Sequence, residues 1–381
     1  MNQAGSAEPG TVLACPWSMK RFAVSALLLV LPACSDGAGD LAGAPALGAA
    51  DDEIGIDVSS SDHVDLAQCG TESKAPDLVR CGDARALSNA ATVCGALVAN
   101  DALTVKSGPV VVGGDSRITG FIQVEGGSFT SYGGIEGDGR ETIDGDLTTS
   151  SNWVVGAPAV IGGQAFVGGR LEAQSPVVIG GTLHVAGPVS GSVRSARTTK
   201  TGSDEPRAFS CAGAPQVQAI ADATERLGVL DEDEALADVS HPKQMTLGCG
   251  RYRFASFDVG APLSVRIAGN AVIIVDGDVK IAAPTHFDVV PGASLDVVVR
   301  GALSVEDTLS FYGGSTWLAA GGDIRVASPL RLAGFIVAPA GAIAESARLD
   351  VNGALYAGAL TAESPVTVTA TATALYACSG P

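Results

Sequence analysis

The chain has 381 residues, of which 46% are hydrophobic, 5% aromatic and 17% charged, and 41 acidic against 23 basic residues give a net charge of −18. An acidic surface repels nucleic acid and anionic lipid, which excludes both as predicted partners. The hydrophobic fraction excludes a wholly disordered chain, and 49 glycines among small β-branched residues indicate many short strands joined by tight corners.

The N-terminal segment has the pattern of an export signal. Two positive charges after Met19 precede an apolar run from Phe22 to Leu31, and small residues follow. This run is too short for a membrane-spanning helix, which takes about 20 apolar residues. We therefore predict that residues 1–33 are a removed signal peptide and that translation starts at Met19.

The apolar run ends in Leu31-Pro-Ala-Cys34, which resembles the lipobox of bacterial lipoproteins. The resemblance implies that Cys34 is lipidated, becomes the first mature residue and anchors the exported protein in the outer membrane or at the cell surface. Two or more acyl chains give stable attachment, at about 0.8 kcal/mol per buried CH₂. An ordinary signal peptide with a chance cysteine is the alternative. Residues 34–68, rich in Ala, Gly, Ser and Asp, are predicted to be a disordered tether.

Six cysteines follow the predicted lipidation site, and an even number in an exported protein indicates disulfides. Three precede the repeats described below and three follow them, so complete pairing requires at least one bond between the groups. We favour Cys211–Cys249, with Cys249–Cys378 as the alternative. No CxxC motif occurs, so no metal site or cofactor is predicted. The disulfide candidates are Cys69, Cys81, Cys94, Cys211, Cys249 and Cys378.

Residues 159–194 divide into six-residue units, which read AVIGGQ, AFVGGR, LEAQSP, VVIGGT, LHVAGP and VSGSVR. Apolar residues hold the first and third places of most units, and these two places point to the same side of a strand. Glycine then permits the backbone to turn a corner. Three such units make one triangular coil, and stacked coils bury a common core. The predicted fold is an all-β parallel β-helix; a β-sandwich or barrel, with strands at wider spacing, is the alternative.

The pattern divides the chain into regions. Residues 69–100 are predicted to be a cysteine-containing N-terminal cap and residues 101–196 a β-helix of six-residue units. Residues 197–248 are predicted to be a linker with a helix near 214–228, since Val217, Ile220, Ala221 and Leu227 fall on one helical face between Pro215 and Gly228.

Residues 249–381 are predicted to continue the β-helix with longer coils. Four similar segments recur there, and we expect them at equivalent places of successive coils. They are Val275–Ile281, Val299–Val305, Ala320–Val326 and Val351–Ala357.

Two resemblances follow from these segments. The glycine-punctuated units at 103–195 resemble the coils of bactofilins, which implies a right-handed β-helix and a structural role. Residues 245–378 are similar to a domain of unknown function in myxobacterial lipoproteins, which implies a β-helix without an established activity. The second likeness departs at Val337-Ala-Pro339, where a Tyr-Ala-Pro stretch is expected. It is carried by Leu247–Tyr252, Ala271–Asp278, Leu295–Gly301 and Leu355-Tyr356.

Residues that could carry chemistry are few. Asp276 and Asp278 lie two apart and could form an acid pair on one strand, although aspartate beside glycine is typical of turns. Residues 133–139 resemble one calcium-binding β-roll repeat, but the motif does not recur in tandem. We therefore predict that the protein is not an enzyme.

The expected function is that of a non-catalytic, structural or adhesive surface protein, joined to the membrane through Cys34 and able to self-associate or to contact an envelope glycan. One alternative is carbohydrate binding, for which Trp153, Trp317 and a few tyrosines are the available aromatic side chains. A second alternative is a polysaccharide lyase or hydrolase acting through Asp276 and Asp278.

Overall fold

The computed structural model describes residues 89–200, 217 and 238–370, which all belong to the second of the two units into which the chain divides, Ser60–Pro381. These residues form an all-β solenoid of about 13 coils, and every strand pairing among them is parallel. The predicted parallel β-helix is confirmed, while its right-handedness stays a prediction.

Twenty-nine strands make up the described part of the solenoid. The first fifteen are β1 Ala91–Val93, β2 Leu97–Ala99, β3 Leu103–Lys106, β4 Val110–Val112, β5 Ser116–Ile118, β6 Ile122–Glu125, β7 Phe129–Ser131, β8 Ile135–Gly137, β9 Glu141–Ile143, β10 Leu147–Thr149, β11 Trp153–Val155, β12 Ala159–Ile161, β13 Ala165–Val167, β14 Leu171–Val185 and β15 Val189–Lys200. The others are β16 Asp238–Val239, β17 Lys243–Leu247, β18 Gly250–Phe254, β19 Phe257–Val259, β20 Leu263–Ile267, β21 Ala271–Val275, β22 Val279–Ile281, β23 Thr285–Val299, β24 Leu303–Val305, β25 Leu309–Ala320, β26 Ile324–Val326, β27 Leu330–Glu345, β28 Leu349–Ala362 and β29 Val366–Thr369.

The strands stack into three faces. Face 1 contains β1, face 2 contains β2 and face 3 contains β3, each with the strands that pair above and below it. The chain visits the faces in this order in every coil. The long strands run through corners, so β14 contributes to all three faces.

The six-residue units fold as their sequence predicts. In β12, Ala159 and Ile161 are buried and Val160 between them points outward and is 40% exposed. The same alternation holds in β13 and in most of the shorter strands. Most inward side chains are aliphatic, with a few aromatic rings such as Trp153 and Phe129 among them. Each fully buried Val, Leu or Ile contributes about 1.5–3 kcal/mol.

The two halves of the chain stack in the reverse of their sequence order. Ala91 pairs with Leu355 and Leu103 with Val366, so the coil that comes first in the N-terminal half lies on the coil that comes last in the C-terminal half. On face 1, six strands lie on either side of β1. The residues at which the described halves begin and end therefore meet in the middle of the stack.

This order corrects the predicted domain boundaries. The predicted cap at 69–100 is wrong for its described part, because β1 and β2 pair on both sides and belong to an interior coil. The predicted linker at 197–248 is too long, since β15 extends to Lys200 and β16 and β17 already belong to the solenoid. The predicted signal peptide, the predicted tether and most of the predicted linker lie outside the described residues.

The predicted helix near 214–228 also lies outside the described residues, except for Val217. That residue is helical and is 3% exposed. It packs in an apolar cluster on the outside of face 1, described below.

Three of the four similar C-terminal segments are equivalent, as predicted. Val275, Val299 and Ala320 are aligned neighbours on face 1, and each begins the corner that leads to face 2. The fourth segment, Val351–Ala357, is not equivalent, because it spans the corner from face 3 to face 1. Short apolar-glycine-apolar segments fit any corner, so their similarity alone does not fix the register.

Aspartates at the corners bind the neighbouring coil. The Asp146 carboxylate accepts a hydrogen bond from the backbone N–H of Gln164 at 2.7 Å, and Asp115 accepts one from Gly134 at 2.7 Å. A Cβ at Gly163, next to Gln164, would overlap the Asp146 oxygen, so aspartate and glycine are coupled across coils. Asn152, Asp278 and Asp323 make equivalent bonds.

Replacing one corner aspartate should weaken the stack measurably. Asp146→Ala leaves the Gln164 N–H without its charged acceptor, and we expect a loss of about 1–2 kcal/mol in the free energy of unfolding. Urea denaturation followed by circular dichroism measures it. Glu136→Ala, at an exposed outward position of β8, is the matched control and should change stability by less than about 0.5 kcal/mol. Equal losses in the two variants would contradict a role for the corner bond.

Candidate functional site

Most of the predicted cysteine sites lie outside the described residues. These are Cys34, Cys69, Cys81, Cys211 and Cys378. Lipidation and disulfide pairing therefore stay predictions. Cys94 and Cys249 are described. The Cys94 Sγ lies 3.0 Å from the Tyr356 hydroxyl, and Cys249 is buried between β17 and β18.

The two acids considered as a pair occupy a corner rather than a strand, which corrects the predicted arrangement. They lie between β21 and β22. The Asp276 carboxylate is 2.8 Å from the Arg253 Nε and 3.0 Å from the Arg300 Nη1. Asp278 accepts the corner hydrogen bond of Ala302. Both carboxylates therefore hold neighbouring coils together in this structure.

A carboxyl group lies inside the solenoid. Glu141 occupies an inward position of face 3, aligned with Ile122 and Ala159, and is 1% exposed. Its Oε2 accepts a hydrogen bond of 3.1 Å from the Trp153 indole N–H. Space for the carboxyl comes from Gly137, at which a Cβ would overlap the Glu141 Oε1.

The surroundings of Glu141 favour its neutral form. Burial raises the pKa of this carboxyl from 4.5 to about 8, and the Trp153 hydrogen bond opposes part of that change. Among the described residues, the Glu141 Oε1 has no hydrogen-bond partner. At neutral pH the protonated Glu141 side chain therefore packs in the core as an uncharged polar group that solvent does not reach.

A second inward acid, Glu345, lies on face 2. Burial raises its pKa from 4.5 to about 7, the nearby charges of Asp101 and Glu363 add to the rise, and a hydrogen bond from the Ser364 N–H lowers it. Both core acids therefore gain protons at a higher pH in the folded chain than in the unfolded chain. The sequence gives a partial signal for them, since each glutamate stands where the repeat expects an apolar residue.

The most extended candidate surface is on the outside of face 1. Along the C-terminal half, outward side chains of this face form one apolar cluster, here called the outer apolar face, and Val217 packs against it. Trp317 is tilted against Phe335 with ring centroids 5.3 Å apart. Its members are Val272, Ile274, Val298, Trp317, Ala319, Val337 and Tyr356, with Phe335 and Cys94 at its margin.

Burial of these outward side chains departs from the pattern of the other strands. The residues of β21 are buried on both sides, with Val272 and Ile274 at 1% and 0% exposure, whereas the outward Val160 of face 3 is 40% exposed. The sequence carries a signal for this feature that periodicity alone misses. Ala271–Val275 is an uninterrupted apolar run, which is typical of a strand buried on both faces.

The aromatic side chains proposed for carbohydrate binding are mostly inaccessible. Trp153 points into the core and Trp317 belongs to the outer apolar face, so neither is available to a ligand in this structure. Tyr312 is 52% exposed, and its ring lies 6.3 Å from that of His286. Phe166 stacks on His184 at 4.5 Å on the outside of face 1.

One end of the stack is basic, although the protein is acidic. The end strand β15 carries Arg194, Arg197 and Lys200 and no acidic residue. At the other end, Arg251 is buried and the Arg253 side chain is paired with Asp276, so neither offers a free positive charge. Self-association through the coil ends stays a prediction.

Within the described ranges, no group of three or more His, Cys, Asp or Glu side chains is placed to hold a metal ion. The same part of the chain contains no helix with the length and apolar character needed to cross a membrane. Comparisons of the whole chain with protein-family models, with curated proteins and with solved structures each give no match.

Proposed function

We propose that the chain is an exported lipoprotein whose solenoid serves as a non-catalytic structural or adhesive scaffold at the cell surface. The observation that carries the proposal is the Leu31-Pro-Ala-Cys34 segment after a basic and apolar leader. The acidic charge of the protein supports a soluble domain held away from an anionic membrane.

The stacking order adds a geometric element to this proposal. A tether from Cys34 would join the solenoid before Ala91, which lies in the middle of the stack. An anchor would therefore hold the solenoid between its ends and leave both end coils away from the point of attachment. Such an arrangement suits a scaffold that presents two ends to other components of the envelope.

The test is the fate of Cys34 in the native host. Cys34→Ser should move the protein from the membrane fraction to the soluble fraction and remove the mass of the acyl chains from the mature N-terminus, because the thiol is the attachment point. Intact-mass analysis of both fractions measures this.

Cys15→Ser is the matched control, since translation from Met19 would leave it out of the protein. This variant should keep the mass and membrane attachment of the original chain. A Cys34→Ser variant that stays lipidated, or an original chain cleaved elsewhere and recovered soluble, would refute the lipoprotein proposal.

Carbohydrate binding is the second candidate, supported by the exposed Tyr312 beside His286 on face 3. Exposed tyrosine rings stack on the apolar sides of sugars. A glycan array should show binding that Tyr312→Ala abolishes, while Val178→Ala, at another exposed outward position of face 3, retains it. An array without signal from the original chain would reject this candidate.

A further inference from the structure

The outer apolar face is covered in the folded chain, and its occupant follows from four observations. We propose that this face is the docking site for residues 201–237 of the same chain, which connect the two ends of the solenoid and hold them together.

The first observation is burial. The buried members of the outer apolar face lie on five successive coils, from Val272 to Tyr356. Each of these outward side chains is at most 4% exposed. Elsewhere on the solenoid, outward apolar side chains such as Val178 are 42% exposed. Something outside the coils therefore covers this face.

The second observation is a direct contact. Val217 is the one described residue between Lys200 and Asp238, and it packs in the cluster with Val272, Val298 and Trp317. The contact places Val217, near the middle of this segment in sequence, on the outer apolar face.

The third observation is the length and the end points of the segment. Lys200 lies on face 1 of the last coil, and Asp238 belongs to the coil at the opposite end of the stack. Parallel strands are about 4.8 Å apart, so the ends of a stack of 13 coils are roughly 58 Å apart. If the predicted helix covers 214–228, it spans about 22 Å and the other residues reach up to roughly 70 Å more. The segment is therefore long enough to run along the stack with the helix formed.

The fourth observation is charge. Residues 201–237 contain eight acidic and two basic residues, and four of the acids are consecutive at Asp231–Glu234. Two further acids, Asp204 and Glu205, directly follow the basic strand β15. Opposite charges at this end favour an intramolecular path over a path into solvent.

The predicted helix supplies the complementary surface. Val217, Ile220, Ala221 and Leu227 fall on one helical face, and an amphipathic helix docks such a face on an apolar groove. The occupant is thus apolar at its middle and acidic near its start, which matches the face it covers and the basic strand β15 that it follows.

The experiment is hydrogen–deuterium exchange on the intact chain, with Val217→Asp as the disrupting variant. In the original chain, amides of 214–228 should exchange at least tenfold more slowly than unprotected amides. In Val217→Asp this protection should fall at least tenfold and binding of an apolar dye should rise, while the strand signal in circular dichroism stays unchanged. Val160→Asp, at an outward position away from the face, should match the original chain in all three measurements.

Two results would overturn the proposal. One is exchange of 214–228 at unprotected rates in the original chain. The other is a dimer in sedimentation equilibrium whose dissociation on dilution exposes the outer apolar face to the dye, because a second copy would then be the occupant. A monomer with protection that is lost in Val217→Asp supports the docked connecting segment.

Discussion

The stability of the solenoid should fall as the pH rises from about 4.5 to 8, and Glu141→Gln should remove a large part of that fall. Because the folded pKa of Glu141, about 8, lies above its unfolded value of 4.5, the folded chain binds the proton more tightly between these values. The favourable contribution is complete below pH 4.5, is lost progressively as the pH rises, and is gone above pH 8. One such group gives a slope of about 1.4 kcal/mol per pH unit.

The measurement is the free energy of unfolding in urea at several pH values, for the original chain and for Glu141→Gln. The difference between the two chains isolates Glu141, since Glu345 and the surface carboxylates titrate in both. Glu141→Gln keeps the size of the side chain and a carbonyl acceptor for the Trp153 indole. A difference that is constant from pH 5 to pH 8 would show that Glu141 titrates normally in the folded chain.

The second large effect is expected at a glycine where face 3 turns into face 1. Gly334 has a φ of +143°, and a Cβ there would overlap the carbonyl oxygen of Thr316 in the neighbouring coil. Gly334→Ala should therefore lower the free energy of unfolding by about 2–6 kcal/mol. The estimate combines about 1–3 kcal/mol for overpacking with about 1–3 kcal/mol for backbone strain.

Gly248→Ala is the control for this substitution. Nothing lies within 4 Å of the position that its Cβ would take, so we expect a change of less than about 0.5 kcal/mol. Urea denaturation of the two variants under the same conditions makes the comparison. If Gly334→Ala were as stable as Gly248→Ala, the predicted overlap with Thr316 would be refuted, because the neighbouring coils would have moved apart at little cost.

The local structure of the coils was predictable from the sequence because each six-residue unit contains the residues that form its own strand and corner. Val112, Ile118 and Val124 are six residues apart, and all three are buried at the third place of a strand. The six-residue period, the glycine corners and the aliphatic core are local properties, so a single chain displays them.

The order in which coils stack was not predictable by the same reasoning. Any coil of similar size can pair with any other through backbone hydrogen bonds. The sequence of a strand such as β1 therefore does not identify β28 as its neighbour. Chain order suggested that residues 69–100 cap one end, and the structure instead places β1 inside the stack.

The candidate sites show the same division. Glu141 interrupts the apolar pattern and Ala271–Val275 extends it, so each departs visibly from the repeat. The partner of each departure depends on residues far away in sequence or in the next coil: Trp153 donates to Glu141, and Val217 packs in the cluster that contains Val272. The six-residue period predicts the fold of each coil, but it does not predict which residues these side chains contact.

The reversed stacking order has a consequence for how the chain folds. Most neighbouring strands are separated by one coil of sequence, whereas Ala91 and Leu355, which also pair directly, are 264 residues apart. Contacts between distant residues form slowly because a long loop must close first. Each half can therefore assemble from local contacts as soon as it is synthesised. We therefore expect the junction at β1, β28 and β29 to close last. Until then each half would expose an unpaired strand edge, to which a strand of another chain can add.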